Sequence, residues 1–187
     1  MNTTPPNEAY KSRQVIELLT VANEFCLFME KVEEYAKEAL LDFISKICPL
    51  LYLKGSLLPV VTVEDPDANE RFVTQEQWQI LFLAVQSIVG EDDLFWIAVP
   101  EDERRYTLVK ASLAEHLADI YQDMKDFVLL YQKTLQVSRE NAASEINRLF
   151  PSHWGLRIAQ IQRHVHTLIH GEPEEENTDL AEFLSGI

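Results

Sequence analysis

Apolar residues in this chain recur three and four positions apart over long stretches, and that spacing leaves helices as the one regular structure they fit. Leu113, Leu117, Ile120, Met124, Phe127 and Tyr131 step by 4, 3, 4, 3 and 4. Ala114, Tyr121, Val128 and Leu135 repeat every seven beside them. A strand turns every second side chain to the same face and would scatter this set, whereas a turn of 3.6 residues gathers it. Val15, Leu18, Ala22, Phe25, Met29 and Val32 behave alike, with Leu19 and Phe28 widening the stripe. That width predicts a central helix covered on more than one side. A further seam runs through Leu40, Phe43, Ile47, Leu50 and Leu57. Pro49 falls inside it and predicts a kink or a break, with Gly55 and Pro59 marking the helix end.

Local signals punctuate these seams. Residues 1–8 read as a frayed N-terminus, with Pro5 and Pro6 ahead of the first helix. Residues 60–72 hold turn formers without helical period and read as a loop. Thr74 and Gln77 fit a capping box before a helix that bears Trp78, Leu81, Phe82 and Val85 and stops at Gly90. Residues 91–105, EDDLFWIAVPEDERR, predict a short helix or ordered loop whose Leu94, Phe95 and Trp96 plug into the bundle. Ser112 and Glu115 fit a second capping box, S-x-x-E. Trp154, Ile158, Ile161, Val165 and Leu168 carry a last long helix over 140–170, which Pro151 either kinks or splits. Residues 172–187 form an acidic tail expected to be flexible, with Leu180, Phe183 and Leu184 available to dock or to bind a partner. The expected architecture is all-α: an antiparallel bundle of five to seven helices over residues 9–171, one domain, with no significant sheet.

Charge narrows the partners. The chain of 187 residues has 31 acids against 16 bases, a formal net charge of −15. Such a chain repels nucleic-acid phosphates and anionic lipid headgroups, so neither nucleic acid nor membrane is an expected partner. No apolar run approaches the roughly 18 residues of a membrane span. The N-terminal residues lack the apolar core of a secretion signal. Cys26 and Cys48 sit in apolar runs outside any C-x-x-C pairing and read as buried free thiols. The expected location is the cytoplasm.

One constellation could carry chemistry. On the helix starting at Ser112, His116, Asp119, Asp123 and Asp126 fall within an arc of about 80° beside the seam. On the last helix His153, Arg157, Gln160 and His164 flank their seam in the same way. Two antiparallel helices would bring these stripes face to face. An ion-pair network that fixes register satisfies the pattern, and so do two separate solvated faces. So does a ligand or metal site, with Asp119 or Asp123 and His153 or His164 as ligands. His166 and His170 form an H-x-x-x-H pair away from the seam, expected to be exposed near a helix C-terminus. The Glu-x-x-His repeats of di-iron bundles and the common nucleotide, nucleophile and zincin motifs do not occur in the chain. No cofactor, metal or catalytic residue is therefore expected.

Four stretches carry a resemblance. LADIYQDM at 117–124, HWG at 153–155, NEFC at 23–26 and LLYLKGSLLP at 50–59 together resemble an uncharacterised bacterial family, domain of unknown function 5063. Trp78 and the DDLFW stretch fit the same pattern. The resemblance spans roughly residues 15–170. It implies an all-helical cytoplasmic protein and no particular activity, and it draws attention to Asp119, Asp123, His153 and Trp154. The expected function is that of a non-enzymatic interaction or adaptor protein with an unidentified protein partner, reached through the C-terminal tail. The alternative is a small-ligand or metal-binding protein, or an enzyme, working at the Asp119/Asp123–His153/His164 face.

Overall fold

The structure, a computed structural model, describes residues 6–102 and 105–171. Among them lie six α-helices and one hairpin: α1 (Arg13–Met29), α2 (Lys37–Ser56), α3 (Gln75–Val89), β1 (Leu94–Pro100), β2 (Tyr106–Ser112), α4 (Leu113–Tyr131), α5 (Gln136–Leu149) and α6 (Trp154–His170). The molecule is a helical bundle.

Helix α4 is its axis. It packs against α1, α3, α5 and α6, and α2 closes the ring between α1 and α6. The seam of Leu113, Leu117, Ile120, Met124 and Phe127 is buried, and so are the flanking Ala114, His116, Asp123, Asp126 and Val128. The central place expected of the first helix thus belongs to α4, while Leu19 and Phe28 do widen the α1 stripe as partly buried side chains. Helix α1 buries one stripe, Val15, Leu18, Ala22, Phe25 and Met29, and turns Ile16 and Leu27 to the surface. The expected capping box forms in full at Thr74, while at Ser112 the cap is the serine side chain alone. Thr74 Oγ1 accepts the Gln77 amide while Thr74 N–H donates to the Gln77 side chain. Ser112 Oγ accepts the Glu115 amide at 3.0 Å. Asp93 braces that turn, accepting from Ser112 Oγ at 2.9 Å and from Ala114 N–H at 2.8 Å.

One local expectation needs correction and two, at Pro49 and Pro151, are narrowed. Helix α2 runs through Pro49 without a break. Pro49 lies on the exposed side, where solvent can reach the carbonyl that proline leaves unbonded. The buried stripe of α2 is also rotated from the expected one. It comprises Leu40, Leu41, Ile44, Cys48, Leu51 and Gly55, while Leu50 and Leu57 are exposed. Gly55, one residue before the helix ends at Ser56, lies on that buried stripe. A Cβ there would lie 2.1 Å from Cη2 of the fully buried Trp154 and 2.7 Å from Phe150 Cδ2. Only a residue without a side chain lets the indole lie against the α2 backbone. Lastly, of the two outcomes expected at Pro151 the structure has the split: α5 ends at Leu149 and α6 starts at Trp154.

The largest departure is the hairpin in the segment expected to be a short helix or loop. A 3-10 turn over Gly90–Asp93 leads into β1, which pairs antiparallel with β2. Side chains therefore alternate. Phe95 and its cross-strand neighbour Ala111 are buried, but Leu94 and Trp96 are exposed and do not plug into the bundle. Phe95 stacks on His164 with ring centroids 4.7 Å apart and meets the His116 ring edge-on.

Candidate functional site

The polar face between α4 and α6 is built by antiparallel register. Steps of three and then four residues along α4, from His116 to Asp119 to Asp123, are met by equal steps back along α6, from Gln160 to Arg157 to His153. His116 Nε2 lies 2.9 Å from Gln160 Oε1, and Arg157 Nε donates to Asp119 Oδ2 at 2.6 Å. His153 Nδ1 donates to Asp123 Oδ2. The two stripes thus meet.

Other elements complete the face. Trp78 of α3 donates its indole N–H to Asp119 Oδ1 at 2.8 Å. Arg71, from the loop between α2 and α3, reaches Asp123 Oδ1 and Asp126 Oδ2 at 3.4 Å and Glu145 of α5 at 3.2 Å. The same loop donates two backbone amides to Asp126 Oδ1, Phe72 N–H at 2.7 Å and Val73 N–H at 2.9 Å. Both oxygens of Asp119, Asp123 and Asp126 are therefore occupied by donors of this chain. Asp123 is the deepest, its side chain 1% exposed, while the His153 side chain is 30% exposed. Arg71, Trp78 and Glu145 were not legible as partners. They lie outside the two seams, and Arg71 stands in a loop with no period to place it. The HWG tripeptide does local work as well: His153 ties α6 to α4, and Trp154 Nε1 donates to Ile146 O at 2.8 Å.

His164 stands apart from the carboxylates. Its Nε2 lies 2.7 Å from the main-chain oxygen of Asp92, and its ring is covered by Phe95. The expected quartet of Asp119, Asp123, His153 and His164 is thus divided between an ion-pair face and the hairpin base.

Burial tunes two groups on this face. It lowers the pKa of His116 below the usual 6.5, favouring the neutral ring, and Nδ1 of that ring is buried without a hydrogen-bond partner. It raises the Asp126 carboxyl above 3.8, against the pull of the Val73 and Phe72 amides and Arg71. For His116 the sign is definite. The unfolded chain takes up a proton near pH 6.5 before the folded chain does, so stability falls as pH drops below that value. We expect His116→Gln to lose less stability than the parent between pH 7 and pH 5, measured by urea denaturation. Equal slopes would remove His116 from the account.

Space for a ligand is small here. The cavity bounded by Arg71, Asp123, Asp126 and Glu145 holds about 20 Å³, room for about one water. Among the described residues, no group of three or more His, Cys, Asp and Glu side chains converges as a metal site would require. His166 and His170 lie with ring centroids 4.8 Å apart on the outer side of α6. Cys26 and Cys48 are buried free thiols. Burial pushes the Cys48 thiol up to about 12 and raises Cys26 as well, which keeps both protonated and unreactive.

A second surface was not expected from the sequence. Alternation places Leu94, Trp96, Ala98 and Pro100 of β1 on one face with Lys110, Leu108 and Tyr106 of β2. Trp96, Leu108 and Tyr106 are 62%, 65% and 67% exposed. Between this face and α6 lies an open groove of about 560 Å³, whose far wall is Gln160, Arg163, His164 and Thr167. Lys110 Nζ sits 5.5 Å from the Trp96 ring centroid.

No curated protein matches the chain. Among solved structures it is similar to the crystal structure of protein BF1032 from Bacteroides fragilis, with 32% identity and a TM-score of 0.79, covering 89% of this chain and 99% of that one. No helix is long and apolar enough to cross a membrane among the described residues. Residues 10–171 match the model of the family described as Domain of unknown function (DUF5063), and the chain belongs to that family.

Proposed function

We propose that the chain is a non-enzymatic interaction protein that docks a protein partner on its hairpin face. The observation that carries this reading is the exposed cluster of Trp96, Leu108, Tyr106 and Leu94 on one side of a two-stranded sheet. Contiguous apolar surface is costly to leave wet, and Trp and Tyr are the side chains that most often anchor interfaces. Arg163 on the groove wall and Lys110 beside Trp96 add positive charge, so the fitting partner presents apolar side chains flanked by carboxylates. The Asp/His face supports the same reading, because its carboxylate oxygens are already spent on Arg71, Trp78, Arg157, His153 and backbone amides. Two buried free thiols accord with action in a reducing compartment, the cytoplasm.

The test compares three immobilised full-length proteins in lysate of the native cell: parent, Trp96→Asp/Leu108→Asp and Asp119→Asn/Asp123→Asn. One partner is expected on the parent and on the Asp/His-face variant. The hairpin variant should retain at least about tenfold less of it, the equivalent of about 1.4 kcal/mol of contact. A small molecule or a reaction that depends on Asp123 and His153, and is indifferent to the hairpin changes, would sink the proposal.

A further inference from the structure

We infer that the occupant of the hairpin–α6 groove in the free molecule is the chain's own C-terminal segment, residues 172–187; this rests on the reading of that groove as a docking surface. Three observations lead there. The first is charge. Residues 172–187 contain Glu172, Glu174, Glu175, Glu176, Asp179 and Glu182 and no base. Arg163 lines the groove and Lys110 sits over the Trp96 ring beside it, and neither takes part in an ion pair among the described residues. In a chain of net charge −15, an acidic segment is repelled by most of the surface and finds its complement at such a place.

The second is pattern. Leu180, Phe183 and Leu184 stand at i, i+3 and i+4, and Asp179 precedes them with Glu182 three residues on. That is the sequence of a short capped amphipathic turn, acidic on one side and apolar on the other. It offers the two kinds of surface that the groove presents: apolar residues for Trp96 and Leu108, and carboxylates for Arg163 and Lys110.

The third is reach. The groove begins at Thr167, one turn before α6 ends at His170, and extends back to Gln160. That length of helix is about 10 Å at 1.5 Å per residue. The residues between Gly171 and Leu180, turning back along α6, can span up to about 30 Å when extended. The apolar triplet therefore reaches Trp96 of the same molecule with slack to spare. Seated there, the segment covers the apolar face that the proposed partner needs, and a partner of like chemistry must displace it.

The test uses the full chain labelled with 5-fluorotryptophan, the Trp96 resonance being assigned by Trp96→Phe, with a soluble paramagnetic agent to report exposure. In the parent the Trp96 signal is expected to be shielded. In Leu180→Ser/Phe183→Ser its relaxation by the agent should rise by about threefold if the segment is seated two-thirds of the time. Arg163→Glu should expose Trp96 in the same way, and adding Glu174→Lys, Glu175→Lys and Glu176→Lys to it should restore shielding. Equal relaxation in the parent and in Leu180→Ser/Phe183→Ser overturns the inference. So does shielding that grows with protein concentration, since the segment would then come from another molecule. The two readings fail separately. A tail that leaves Trp96 exposed, together with a partner still lost on Trp96→Asp/Leu108→Asp, removes the tail and keeps the docking face.

Discussion

Replacing Trp154 with alanine is expected to cost about 3–5 kcal/mol, the largest single loss in the molecule. The indole is fully buried, donates to Ile146 O and packs edge-on against Phe150 at 4.8 Å between ring centroids. It also fills the notch that Gly55 leaves on α2, so its removal opens a cavity between α2, α5 and α6 at once. Against a total stability of about 5–15 kcal/mol, such a loss is visible as a large drop in the urea midpoint. Gly55→Ala approaches the same seat from the other side. Its new Cβ would stand 2.1 Å from Trp154 Cη2, and overpacking of about 1–3 kcal/mol should outweigh the helix propensity that alanine adds. A Trp154→Ala protein as stable as the parent would mean that the indole is not the joint between these helices.

Asp126→Ala is expected to cost about 3 kcal/mol, because it strands two backbone donors at about 1–3 kcal/mol each. Val73 N–H is buried and Phe72 N–H partly so, and both end on Asp126 Oδ1. The loop that brings Arg71 to Asp123 is held to α4 at this point. Asp126→Asn should cost less than about 1 kcal/mol, since an amide oxygen still accepts both bonds and brings no charge to bury. Burial already raises the Asp126 carboxyl above 3.8, so the native state binds its proton more readily than the unfolded chain. Its contribution to stability therefore falls as pH rises through that window, and the asparagine variant should lack this trend. Denaturation of both variants at several pH values checks the pair. Equal losses would show that Oδ1 is not what holds the loop.

The helices were legible because apolar spacing reports directly on which face is buried. The meeting of the α4 and α6 stripes was legible in its register, since antiparallel helices align residues at matched steps. What escaped has physical reasons. In β1, LFWIAVP, both faces are apolar, so no alternation shows, although only Phe95 is buried and Ile97 partly covered. Helix α2 is apolar on several sides, so two stripes compete, and the choice falls to Gly55 through contact with Trp154 about a hundred residues away. Arg71 joins the carboxylates from an aperiodic loop, with 52 and 55 positions between it and Asp123 and Asp126. His164 shares the stripe of His153 and Arg157 in sequence, but the hairpin, which was not foreseen, claims it through Phe95 and Asp92.

The Asp/His face between α4 and α6 holds the two helices in register through its partly buried ion pairs. A double-mutant cycle on Asp119 and Arg157 tests it most directly, with Asp119→Asn, Arg157→Gln and the pair measured by urea denaturation. The side chains are only 14% and 24% exposed and meet at 2.6 Å, so a coupling of about 1–2 kcal/mol is expected. Additive losses, with a coupling under about 0.3 kcal/mol, would contradict it.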